Sequence, residues 1–163
     1  MRTGPNVLES KATIRFQDCD PFNHLNNAEY LNYLINARED QLIENYGIDI
    51  YEMGRTQGKS WVVGTTQIAY LKPAFVMEKV IIQSQLLRYT ESEIWVELRM
   101  LDKSKTEIKA VMWSSFVHFN FLSQKREIHS EGFMELFESV LNPTEQSNFQ
   151  ERATALKTQN ALA

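Results

Sequence analysis

The chain has 163 residues, enough for one well-packed domain, with 17 basic against 21 acidic side chains and a formal net charge of -4. It has no basic block of the kind nucleic acid demands, no apolar run near the roughly 20 residues that span a bilayer, and no apolar signal core over its first residues. A lone cysteine, Cys19, excludes an intrachain disulfide framework and fits a reducing compartment, so the cytoplasm is the expected location.

In chain order, a short strand is expected over Ala12–Phe16, before the turn signals at Pro21 and Asn23. From Asn26 to Tyr46 the pattern turns helical: Tyr30, Leu31, Leu34, Ile35, Leu42 and Ile43 recur at helical spacing. Asn26 suits an N-cap, Glu29 the first turn, and Gly47 a stop. Four β-rich stretches follow, Ser60–Leu71, Val76–Arg88, Glu93–Leu101 and Glu107–Phe121, separated by turn-like segments. A short helix is expected over Glu131–Leu141. The reading is one domain over residues 1–142 and a polar tail over 143–163 that packs weakly or frays. One long helix ahead of four antiparallel strands implies an α+β fold with the sheet curled around the helix. The helix covers one sheet face only, so Trp113, Phe119 or Phe121 on the other needs another element or a second subunit; a dimer at least is expected.

The densest chemistry lies just before the long helix. Asp18, Asp20, Asn23, His24 and Asn26 crowd into one short loop. A helix N-terminus offers free N–H groups and a partial positive charge that polarise a carbonyl oxygen. A nearby carboxylate then attacks that carbonyl or activates water to do so. The pattern points to acyl transfer to water.

Three segments resemble the hotdog-fold acyl-CoA thioesterases, in their 4-hydroxybenzoyl-CoA thioesterase-like branch. They are Arg15-Phe16-Gln17-Asp18-Cys19-Asp20-Pro21, then His24-Leu25-Asn26-Asn27-Ala28-Glu29-Tyr30-Leu31 with Ala37-Arg38-Glu39, then Trp61-Val62-Val63 with Ile68-Ala69-Tyr70-Leu71-Lys72-Pro73-Ala74. The second segment also resembles acyl-carrier-protein thioesterases. The resemblance implies a long central helix wrapped by a curved antiparallel sheet, and hydrolysis of acyl-CoA or acyl-carrier-protein thioesters by a homodimer or homotetramer. His24, His118 and His129 form no metal-ligand pattern, and a thioester is already activated toward attack, so neither metal nor cofactor is expected. Asp20 matches the family's catalytic carboxylate, and the polarising backbone N–H falls near Asn27. Plant-type acyl-carrier-protein thioesterases carry an asparagine two residues after the aspartate, where this chain has Phe22. The hotdog branch that uses a glutamate on the central helix would call on Glu29 or Glu39.

Each residue also has a plainer reading. Asp20 either serves the chemistry or closes a turn before Pro21; Asp18 reads as loop support. His24 either orients substrate, shuttles a proton and holds Asp20, or simply fixes the turn. Cys19 sits between two carboxylates, which suppress its thiolate. Phe22, Tyr30, Trp61 and Phe75 are candidates to shape an apolar acyl pocket. Lys72, Arg88, Lys125 and Arg126 are candidates to meet CoA phosphates, with Lys72 preferred. A hydratase of the same fold would need its aspartate and histidine five residues apart; here Asp20 and His24 are four apart. A non-catalytic acyl-CoA-binding protein is the remaining alternative.

Overall fold

Local capping chemistry starts and stops the central helix. In the computed structural model, which describes residues 3–162, the Asn26 side chain accepts the Ala28 N–H at 3.1 Å and caps a 3-10 turn, Asn27–Glu29. That turn runs into helix α1 (Tyr30–Tyr46), which Gly47 ends at φ 68°, a left-handed conformation free of Cβ strain only for glycine. A second helix follows, α2 (Ile50–Gln57), which the sequence reading omits. The Asp49 carboxylate caps it by accepting the Tyr51 and Glu52 N–H groups at 3.0 Å each.

The first strand is β1 (Val7–Thr13), and the expected strand over Ala12–Phe16 is corrected: Phe16–Asp18 forms a 3-10 turn instead. Glu9, Ser10 and Lys11 hide the strand in the sequence, and antiparallel pairing with the third strand defines it, from Val7 opposite Gln85 to Thr13 opposite Lys79. The remaining strands are β2 (Lys59–Tyr70), β3 (Lys79–Tyr89), β4 (Glu93–Asp102), β5 (Ile108–Asn120) and the two-residue β6 (Lys125–Arg126). The sheet order is β1-β3-β4-β5-β2, with β6 against β5 and every pairing antiparallel. Strands β1 and β2 are therefore the edges.

Leu34 of α1 and Leu8, Ile82, Val96, Leu98, Met100 and Met112 of the sheet form the core between them, all essentially inaccessible. Each such side chain contributes roughly 1.5–3 kcal/mol of burial free energy. This is the hotdog arrangement: a long helix inside a curled antiparallel sheet. Helix α3 (Glu131–Val140), capped by Ser130, adds Leu136, Phe137 and Val140 to the same core.

The tail does not fray. Residues Phe149–Leu162 form helix α4, packed on the outer sheet face, where Leu156 joins Ile81, Leu101, Ile108 and Val111. Arg152 donates to both oxygens of the buried Glu97 carboxylate at 2.7 and 2.8 Å. The Asn160 side chain accepts the Ile108 N–H and donates to the Ile108 carbonyl, each at 2.8 Å. A narrow stripe of Phe149, Ala153, Leu156 and Asn160 seats the helix, too sparse to stand out in a polar segment. The Trp113 ring meets Phe149 at 5.7 Å, so Trp113 is covered from within the chain, while Phe121 stays exposed. Among the described residues no helix is long and apolar enough to cross a membrane.

Candidate active site

The Asp20 loop is a tight turn laid against the segment before β3. Asp20 N–H donates to the His24 carbonyl at 2.8 Å, and Asn23 N–H to the Asp20 carbonyl at 3.0 Å. Asn23 supports the reversal at φ 63°, a left-handed conformation asparagine tolerates better than most residues. Leu25 N–H then donates to the Ala74 carbonyl, and Val76 N–H to the Asn23 carbonyl, which pins the loop.

Within this turn the two oxygens of Asp20 differ. Oδ1 accepts the N–H groups of Phe22 at 2.9 Å and His24 at 3.1 Å. Oδ2 accepts no hydrogen bond among the described residues, and the side chain is half-buried. The carboxylate is thus held by one atom and open at the other. Asp18 is held differently: its Oδ2 accepts the Tyr33 hydroxyl at 2.6 Å, and Tyr33 in turn accepts the Arg15 N–H at 3.0 Å. Burial, together with that bond to Asp18, pushes the Tyr33 phenol up to about 12. Asp18 therefore supports the loop through a tyrosine, while Asp20 takes the backbone donors. Burial and the flanking carboxylates raise the Cys19 thiol, against any thiolate role.

The Asn27 N–H makes no hydrogen bond among the described residues, and its carbonyl accepts the Tyr70 hydroxyl at 3.0 Å. An unengaged N–H at a helix start is a suitable donor to a developing oxyanion. His24 meets Asp20 through its main chain; its ring packs edge-on to Phe75 at 5.0 Å. Of the glutamates, Glu29 accepts from Asn32 and Glu39 from the Tyr51 hydroxyl.

The candidate acyl-pocket residues separate. Phe22 is 79% exposed at the turn. Tyr30 is buried, its hydroxyl accepting the Ala74 N–H at 3.1 Å. Lys72 is exposed. Arg88 lies over the Trp95 ring, and Arg126 pairs with Glu93 at 2.6 Å. Trp61 alone of the four aromatic candidates lines an apolar-walled cavity of about 230 Å³, farther along α1 beside Ile35, Arg38, Leu42, Leu86 and Phe116. Sequence reasoning missed Arg38 as a cavity-lining residue. Its signal was a charged residue on the buried stripe Leu34, Arg38, Gln41.

Residues 14–147 match the family model described as the thioesterase-like superfamily. The chain belongs to that superfamily. It is accordingly a thioester hydrolase, with the family's hotdog fold. The thioesterase resembles the probable thioesterase YbaW from Escherichia coli at 23% identity and TM-score 0.70, over 83% of this chain and 99% of that one. It also resembles the DHNA-CoA thioesterase of Staphylococcus aureus at 16% identity and TM-score 0.72, over 94% of each chain. A third likeness is to the hypothetical protein SAV2348 from Staphylococcus aureus, solved in complex with CoA: 12% identity, TM-score 0.77, over 93% of this chain and 94% of that one. No curated protein sequence matches the thioesterase significantly.

Proposed function

We propose that this thioesterase hydrolyses acyl-CoA thioesters in the cytoplasm, with Asp20 as its catalytic carboxylate. The observation that carries the reading is the open Oδ2 of Asp20, in the loop leading to a helix start whose Asn27 N–H is unengaged. That N–H polarises the thioester carbonyl. Asp20 then takes a proton from water as it attacks the carbonyl carbon, or attacks directly to give an acyl anhydride that water hydrolyses. In either course the C–S bond breaks, CoA leaves as its thiolate, and the acid is released. His24 fixes the carboxylate through its backbone. Family membership and a CoA-bound structural neighbour support CoA as the carrier.

The proposal extends to a homo-oligomer. Edge strand β2 exposes Val62 through Gln67 without a partner on its free side. Antiparallel pairing with the same edge of a second copy supplies the missing partner. Light scattering should report at least a dimer.

The test is CoA release from short, long and aromatic acyl-CoAs by wild type and Asp20→Asn. The variant is expected to lose about 10²–10⁴-fold in rate with its fold intact. An undiminished variant moves the chemistry to another carboxylate. Absence of release by wild type with every acyl-CoA shifts the reading to acyl-carrier-protein thioesters or to acyl-CoA binding without turnover.

A further inference from the structure

The cavity beneath α1 is lined mainly by apolar side chains, with the buried Arg38 and, toward the exposed Tyr51, a Glu39 carboxylate that already accepts the Tyr51 hydroxyl at 2.6 Å. Arg38 is 8% exposed. Its Nη1 donates to Ser84 Oγ at 2.9 Å, and that hydroxyl donates to Gln41 Oε1 at 2.6 Å. Gln41 donates in turn to Ser10 Oγ and to the Ile82 carbonyl. Every acceptor in this network is neutral. Among the described residues Arg38 forms no ion pair, and its Nε and Nη2 make no hydrogen bond. The other buried basic groups are paired: Arg99 with Glu97, and Lys109 with Glu78 at 3.2 Å. Burial draws the Arg38 guanidinium down to about 10, so it stays protonated at neutral pH.

A desolvated cation facing a cavity is costly until an anion meets it. Carboxylate suits a guanidinium best, because two parallel N–H···O bonds match its fork. The cavity measures about 230 Å³. Its mouth is marked by the exposed lining residues Tyr51 and Val63, and Arg38 lies deeper, on the α1 face turned to the sheet.

We propose that the cavity selects an acyl group bearing a carboxylate at its far end, an ω-carboxyacyl thioester of medium length, with Arg38 as the specificity-determining residue. The proposal rests on the thioesterase reading for its reaction. A plain acyl chain would fill the same space and leave the guanidinium without an anion. A carboxylate completes the pair and leaves the methylenes against Ile35, Leu42 and Phe116.

The test compares suberyl-CoA with octanoyl-CoA, which share a chain length and differ at the far end. Wild type is expected to favour suberyl-CoA in kcat/KM by at least about tenfold. Arg38→Met should abolish or reverse that preference. Equal or better use of octanoyl-CoA by wild type overturns the proposal, whether or not the variant folds. Equal use of ω-hydroxyoctanoyl-CoA and suberyl-CoA also overturns it. Release of CoA from none of these substrates counts against the thioesterase reading, and direct calorimetric titration with free suberate and octanoate then decides. Suberate binding that is lost in Arg38→Met upholds the proposal, and absence of suberate binding overturns it.

Discussion

Both faces of the sheet bury arginine, in opposite states of satisfaction. On the outer face Arg99 and Arg152 converge on Glu97, which is inaccessible to solvent and also accepts the Trp113 indole N–H at 2.7 Å. Burial works to raise the Glu97 carboxyl, but the Arg152 bond, the Arg99 charge and the Trp113 bond outweigh it and hold the group below its ordinary value. On the inner face Arg38 meets a single serine hydroxyl and a cavity. The outer cluster is complete in the free protein and fastens α4. The inner one forms no ion pair among the described residues. Completeness marks a charge cluster that holds the fold together; a missing counter-charge beside a cavity marks one awaiting a ligand.

The contrast is sharpest in the stability of variants. Glu97→Gln strips both outer arginines of their carboxylate and should cost about 3 kcal/mol in urea unfolding at neutral pH. A loss under about 1 kcal/mol would show the cluster to be ornamental to the fold.

A second buried group sets an acid limit. His118 stacks on Trp61 at 4.7 Å and on His129 at 5.0 Å. The Trp61 indole donates to His129 Nε2 at 3.0 Å, while His129 Nδ1 lies 3.0 Å from the Thr90 carbonyl, so the network places its proton on Nδ1. Burial, with the neighbouring His129, lowers His118 to about 4. The unfolded chain takes up its proton near pH 6.5, before the folded one does. Stability is therefore complete above about pH 6.5 and falls as pH drops toward 4. Urea midpoints measured across that range should decline in wild type and flatten in His118→Leu.

The smallest effect is the most telling. Arg38→Met replaces an unpaired buried charge by an apolar chain, and Ser84 keeps its bond to Gln41. Stability should change by less than about 1 kcal/mol, or rise. A loss as large as that of Glu97→Gln would make Arg38 a structural residue and erase the contrast between the faces.

The parts of this fold legible in the sequence were local. Asn26 and Gly47 bound the helix run because capping depends on residues a few positions apart, and strands β2 to β5 show as β-rich stretches between turn signals. The Asp20 turn was legible for the same reason, since its Oδ1 is met by N–H groups two and four residues on. Helix α2 was missed although Asp49 and Gly58 flank it, because eight residues hold too few apolar repeats to show a period. Strand β1 was displaced because an edge strand with polar residues takes its identity from its neighbour.

The sequence by itself determined the central helix, strands β2 to β5 and their order, and a carboxylate loop opening onto a helix start. Only the tertiary structure decided that α4 packs on the outer face, that Trp61 lines a cavity, and that Arg38 stands beside it with no ion pair among the described residues. Caps and turns are written in contacts within one helical turn. Charge satisfaction is written in contacts such as Arg38 to Ser84 and Arg152 to Glu97, separated by 46 and 55 residues, which exist only once the sheet has formed.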